Sequence, residues 1–300
     1  MQTKSNRLRG IAAMISAVFV FAIMDATMKR LSSHYPAVQI SCMRSLASLI
    51  CIAAPIVWRR SWSDLKATTP VLHVVRGFLG VSMLVTFIFA VNRLSLAQTY
   101  SLLLAAPLLM TALSVQLFGD RVTRSRWAAI VAGLVGVVVI LKPWSHGGMP
   151  LLAAGSAAAA TVCYSLSALT VRTLGSRNSS MSMVFWYLAL VSVGAGVLSI
   201  AGWQPIRSDD WKWLAAIGVS GALGQYWLTD AFRRAPPSVV GPFEYTAILW
   251  AFLIDWLFWS SNPSVSLVIG AGVVIASGIF VILDERRLSE IELMRGAPVP

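Results

Sequence analysis

Four charged side chains stand where a charge is expensive. Asp25, Arg44, Arg76 and Glu244 each lie inside a long apolar run. A charge within hydrocarbon costs at least about 2.5–3.5 kcal/mol on insertion scales, so each needs a partner or a task. Asp25 and Arg44 are nearly equidistant from Ser32-Ser33-His34-Tyr35-Pro36, so antiparallel packing of their two runs sets them at similar depth. That register predicts an ion pair holding two helices, with an outer gate or an ammonium site as the alternative. Glu244 follows Gly241-Pro242-Phe243 and precedes Tyr245. Pro242 has no N–H to donate, which leaves the Ser238 carbonyl exposed nearby. A carboxyl beside a broken turn can bind an amine or carry a coupling proton; it can equally pair with Arg76, whose expected depth is similar.

Uncharged candidates surround these four. Tyr100, Tyr164, Tyr226, Tyr245 and Trp250 fall within apolar runs, with Gln225 beside a glycine-rich face. They are the residues expected to line a pocket for an aromatic or bulky apolar substrate, against the alternative of plain packing. Pro107 stands near the middle of its run and frees the Leu103 carbonyl, so a kink is expected there. Gly77, Gly80, Gly218 and Gly221 let helix backbones approach, either for packing or as a sliding surface beside a cavity. Asp255 and Asp230 sit near the ends of their runs, where interfacial water is in reach.

Other chemistry is missing its parts. The three histidines, His34, His73 and His146, are dispersed and form no nucleophile–base or metal set. No Gly-x-x-x-x-Gly-Lys-Ser/Thr phosphate loop occurs, and Gly270-Ala-Gly272 lies inside an apolar run with no strand before it. Cys42, Cys51 and Cys163 are apolar-run residues; the first two, on one expected helix, are too far apart for a disulfide. The expectation is a protein that is no enzyme and holds no cofactor and no metal.

The elements that must position these residues are ten apolar spans, at about 9–31, 38–58, 70–91, 96–118, 126–143, 149–171, 181–201, 212–232, 238–259 and 265–283. Each is long enough for a helix to cross roughly 30 Å of hydrocarbon. Apolar residues make up 57% of the 300-residue chain and charged residues 12%, too little polarity to cover a soluble fold. The net charge of +12 sits in the loops, which marks topology and argues against nucleic acid. Lys4, Arg7 and Arg9 precede the first span, which reads as an uncleaved helix because further spans follow at once. With the N-terminus cytoplasmic, 16 Lys and Arg fall on the cytoplasmic side and 6 outside, leaving Arg44 and Arg76 within spans. Both termini are then cytoplasmic.

The chain repeats itself. Gly77 and Gly80 match Gly218 and Gly221 at an offset of 141, and Ala90 and Arg93 match Ala231 and Arg234 at the same offset. Gly136-Val-Val-Val-Ile-Leu141 matches Gly278-Ile-Phe-Val-Ile-Leu283 at 142. Two halves, 1–143 and 144–284, are expected, with 285–300 a cytoplasmic tail. Five spans per half is odd, so the second half enters the membrane from the other side. The expected fold is all-α, two inverted five-helix repeats with a cavity between them, an arrangement suited to alternating access.

This organisation resembles the drug/metabolite transporter superfamily, in particular its EamA-type ten-helix members. The local match is strongest over 107–141, where Ala-Pro107-Leu precedes Phe118-Gly119-Asp120-Arg121 and a helix with Gly133 and Gly136 follows. Asp120 stands where the family usually has Glu, and Asn262-Pro263 occupies the equivalent place in the second half. The resemblance extends over essentially the whole chain and is closest to bacterial amino-acid exporters, including the aromatic type. It implies export of small metabolites, amino acids first, without ATP hydrolysis. It also implies a cavity lined by spans three, four, eight and nine, with one and six contributing. A carrier of another metabolite class, such as a nucleotide or nucleoside derivative or a drug, is the alternative; an intramembrane enzyme and a passive channel come after it. The expected partners are a small-molecule substrate and the bilayer, with a monomer as the assembly.

Overall fold

The computed structural model describes residues 4–60, 65–118, 124–141, 150–175, 178–234, 243–260 and 264–294. Among them every long regular element is an α-helix, as an apolar chain in lipid requires: a helix satisfies its backbone hydrogen bonds within itself. The helices are α1 (Lys4–Leu31), α2 (Ala37–Arg59), α3 (Pro70–Arg93), α4 (Leu96–Leu103), α5 (Ala106–Phe118) and α6 (Arg124–Leu141). They continue as α7 (Leu151–Leu174), α8 (Ser180–Ser199), α9 (Trp211–Arg234), α10 (Ala247–Trp259) and α11 (Val265–Met294). Helices α4 and α5 are two pieces of one pass, so the chain makes ten.

Six passes are long and apolar enough to span a bilayer by length and composition, and α6, α10 and α11 contain shorter apolar stretches. Helix α9 is the remaining pass, its apolar run closed by Asp230, Arg233 and Arg234. The surface agrees with lipid around the bundle: Phe78 is 70% exposed, Leu151 83% and Phe258 72%. Water would not tolerate so continuous an apolar belt. The chain is an all-α membrane protein.

Local chemistry sets the helix starts. Pro70 opens α3, where its missing N–H costs nothing. Ser95 and Gln98 form a capping box on α4, and Ser179 caps α8 through the Ser182 amide.

The packing exchanges helices between the two halves. Helix α1 lies against α9 and α3 against α7, while α2 meets α8, α4 meets α10 and α6 meets α11. Counting passes within each half, first meets third twice, and second, fourth and fifth each meet their own counterpart. The glycines follow the same exchange. A Cβ at Gly77 or Gly80 would strike Leu190 and Tyr187 of α8; one at Gly218 or Gly221 would strike Ala47 and Ser48 of α2. The third pass of each half thus uses two glycines, three residues apart, to press on the second pass of the other half.

Both ends of the bundle are tied. At the end carrying Tyr35, its hydroxyl donates to Asp210 (2.8 Å) and accepts from the Arg207 amide (3.0 Å). Gln39 and Gln204 bond twice, at 2.7 and 2.9 Å, and Asn92 donates to the Ser32 carbonyl. At the opposite end, Asn178 accepts from the Thr68 amide, and Trp186 donates to the Leu65 carbonyl.

Three expected spans differ in detail. The fourth is broken, not merely kinked: Leu104 and Ala105 form a turn between α4 and α5, with Pro107 in the first turn of α5. Thr161 and Ser165 of α7 donate to the Leu102 and Ala106 carbonyls on either side of the break. The ninth has a matching turn at Tyr245 and Thr246, an offset of 141 from the first. The last helix runs unbroken to Met294, through what composition marked as a polar tail. Pro242, Gly241, Ser238, Asp120, Arg121, Asn262, Pro263 and His146 lie outside the described residues.

Candidate functional site

A cavity lies among the two halves' helices, lined by side chains of α1, α2, α3, α4, α7, α8 and α9 and by Glu244 and Ala247. It encloses about 1110 Å³ of space free of atoms, open solvent at its mouth included. That suits a small metabolite and is too little for a folded partner.

Helical register explains which side chains reach it. On α9 the lining residues are Gln225, Leu228, Thr229 and Phe232; on α7 they are Tyr164, Ser167, Ala168 and Val171. Both sets follow the i, i+3, i+4, i+7 spacing of one helix face. Tyr226, one residue from Gln225, is turned about 100° away and packs against the apolar cluster that includes Ile52, Ile56 and Val184 instead.

Of the expected site residues, Tyr100, Tyr164, Gln225 and Glu244 line the cavity, together with Asp25, Arg44 and Arg76. Tyr226, Tyr245 and Trp250 do not. The Tyr245 ring is buried against Gly278, where a Cβ would overlap its hydroxyl. Trp250 makes an edge contact with Phe19 of α1 at 4.8 Å between ring centres. Gly77, Gly80, Gly218, Gly221 and Pro107 stand behind the wall rather than in it.

The charged residues are arranged otherwise than antiparallel depth implied. No ion pair joins Asp25 to Arg44, although each lies in the other's electrostatic range. Asp25 accepts a short hydrogen bond from the Tyr100 hydroxyl. Arg44 donates Nε to the Met24 sulfur at 3.0 Å, and its Nη1 has no partner. Arg76 and Glu244 do not pair either. Arg76 donates Nη1 to the Met183 carbonyl at 3.2 Å, lies over the Tyr187 ring at 5.1 Å, and leaves Nε unpartnered. Glu244 accepts from the Tyr164 hydroxyl at 3.5 Å. Both arginines are 3% exposed. Each carboxylate takes its hydrogen bond from a tyrosine instead, Tyr100 or Tyr164.

A buried guanidinium with an empty N–H and a buried carboxylate served by one weak donor are poor at holding a fold together. They are well suited to receiving opposite charges from a ligand. Two acidic side chains, Asp25 and Glu244, thus share the wall with two basic ones, Arg44 and Arg76.

The structure adds two helices to the wall that the resemblance did not imply. Arg44 brings in α2, and Tyr187 brings in α8. Tyr187, Thr229, Phe21 and Phe87 were passed over among many apolar-run residues. The four-residue step from Gln225 to Thr229 was the available signal. For Tyr187 the signal was indirect, because the ring sits where Gly80 of α3 makes room.

Asp255 and Asp230 also part from expectation. Asp255 is 2% exposed, not at interfacial water; it accepts from Lys29 at 3.2 Å and from the Ala97 amide at 2.7 Å. Asp230 is buried and paired with Arg234 one turn on.

Relatives place this cavity in a known setting. The chain is 29% identical to a pseudopaline exporter of Pseudomonas aeruginosa over 89% of its own length and 93% of that protein's. It is 27% identical to a riboflavin transporter of Vibrio cholerae, covering 97% and 99% of the two chains. Identity to an S-adenosylmethionine uptake transporter of Rickettsia prowazekii is 22%, over 93% and 94%. A solved crystal structure superposes with a TM-score of 0.66 over 95% of this chain and 99% of that one, at 19% identity, so the fold is shared. The profile of the EamA-like transporter family matches twice, over residues 8–142 and again over 151–283. With nearly the whole chain matched in two successive copies, this protein belongs to the EamA-like transporter family.

Proposed function

We propose that this transporter of small metabolites carries amino acids, aromatic or bulky apolar ones, out of the cell by alternating access. The observation that carries the reading is Arg76 and Glu244, opposite charges on one cavity wall that are not spent on each other. An α-amino acid supplies a carboxylate for the first and an ammonium for the second. Charge-assisted hydrogen bonds of this kind contribute about 1.5–3 kcal/mol each. Phe21, Phe87 and Phe232 offer an apolar wall for the side chain.

Two five-helix halves, 1–143 and 144–284, move against each other in this reading, with 285–300 a cytoplasmic tail. The near-constant offset of the repeats and the exchanged helix contacts support it. The loop charges favour cytoplasmic termini in a bacterial inner membrane, with the Tyr35 end outside. Cavity-lining Phe232 and Val171 lie two and three residues from the cytoplasmic ends of α9 and α7, which supports an inward-facing cavity beneath a closed outer end. The pseudopaline exporter's similarity supports the outward direction.

The relatives named for riboflavin and S-adenosylmethionine favour a second reading, a larger nucleoside-like or flavin-like cargo in the same cavity. Counterflow in proteoliposomes separates the two. Labelled aromatic, aliphatic and charged amino acids are exchanged against unlabelled amino acids, riboflavin or S-adenosylmethionine, with and without a pH gradient. Exchange of an aromatic or bulky amino acid is the expected result. If no amino acid exchanges, the amino-acid reading falls.

A further inference from the structure

The charged groups on the cavity wall stand at two levels. Measured along their helices at 1.5 Å per residue from the Tyr35 end, Asp25 lies roughly 9 Å deep, Arg44 roughly 10 Å and Tyr100 roughly 6 Å. Tyr187, Tyr164 and Arg76 lie deeper, at roughly 18, 20 and 26 Å. Glu244, three residues before α10, belongs with the deeper group. Each level therefore holds one carboxylate, one arginine and a tyrosine bonded to the carboxylate. Tyr100 serves the outer carboxylate and Tyr164 the deeper one. On the same measure Met83 and Leu84, roughly 15 and 14 Å deep, form apolar wall between the levels, and Phe87, roughly 9 Å deep, stands beside the outer one.

A single amino-acid head can occupy one level and leaves the other unanswered. Arg44, buried with Nη1 empty, then stays without a full set of acceptors in a low-dielectric site, which is costly.

From these two levels we infer that the substrate is two-headed: a bis-amino acid, with an ammonium-carboxylate group at each end and a short apolar link between. One head bridges Arg76 and Glu244; the other bridges Arg44 and Asp25; the link lies along Met83, Leu84 and Phe87. This deepens the amino-acid reading and rests on it.

The test is calorimetric titration of the purified full-length protein with a matched pair. 2,7-Diaminosuberate carries two heads on an eight-carbon chain, and 2-aminooctanoate carries one on a chain of the same length. The expected result is binding of the two-headed compound at least about tenfold tighter, the gain from one further set of charge-assisted bonds. In Arg44→Gln that ratio falls close to one; Asp25→Asn makes the same comparison should Arg44→Gln fail to fold. Equal affinity in the wild type, or a ratio that survives both substitutions, overturns the inference. Binding of 2-aminooctanoate and leucine with no gain from a second head leaves the amino-acid reading intact and removes this one alone. Binding of none of the three removes both.

Discussion

Lys29 of α1 reaches Asp255 of α10 at 3.2 Å, and the second oxygen of the same carboxylate takes the Ala97 amide at the start of α4. The Lys29 ammonium also lies 4.5 Å from the centre of the Trp259 ring. One nearly inaccessible carboxylate thus clamps three helices at the Tyr35 end, above the cavity. In the alternating-access reading proposed above, opening that end would require this clamp to release.

Asp255→Asn weakens the clamp by replacing a charge-assisted bond with a neutral one, a loss of about 1–2 kcal/mol at the Ala97 amide. Hydrogen exchange at residues 96–99 is expected to quicken about tenfold, while α7 is unchanged. Unaltered exchange in the first turn of α4 would show that Asp255 does not hold it.

The Tyr164 hydroxyl is the donor to Glu244, whereas Tyr226 points away from the cavity. Tyr164→Phe is expected to lower counterflow about tenfold, and Tyr226→Phe to stay within about twofold of wild type, one hydrogen bond being worth about 1 kcal/mol or more here. Equal effects of the two would contradict the register of the wall.

Glu244→Gln keeps the shape and removes the charge. If this carboxyl receives the substrate ammonium or carries a coupling proton, transport falls about tenfold or loses its response to an imposed pH gradient. Normal rates with an unchanged pH response would exclude both roles.

Gly80 faces the Tyr187 ring so closely that a methyl group there displaces a cavity residue. Gly80→Ala is expected to cost about 1–3 kcal/mol through overpacking and to impair transport. Gly155, with open space at its Cβ position, offers the contrast. There Gly155→Ala gains helix propensity, about 1 kcal/mol, and a thermal midpoint at or above wild type is expected. Thermal scans of the two variants, read beside counterflow, distinguish packing loss from site loss.

Much of this protein was legible in its composition and periodicity. Long apolar runs in a chain with 12% charge can form only helices across lipid, because nothing else satisfies the backbone there. The offset of 141 linked the two glycine pairs that the helix contacts use. That Asp25, Arg44, Arg76 and Glu244 needed partners or a task was legible as well, and all four line one cavity. What sequence position could not decide was azimuth. A rotation of about 100° per residue separates Gln225, on the cavity, from Tyr226, off it. Nor could it decide partners, since a charge takes whichever donor arrives at the right distance from a neighbouring helix. The carboxylates are held by Tyr100 and Tyr164, and both arginines keep open donors. Those choices depend on how ten helices rotate against one another, which is a property of their packing together and of no single stretch of sequence.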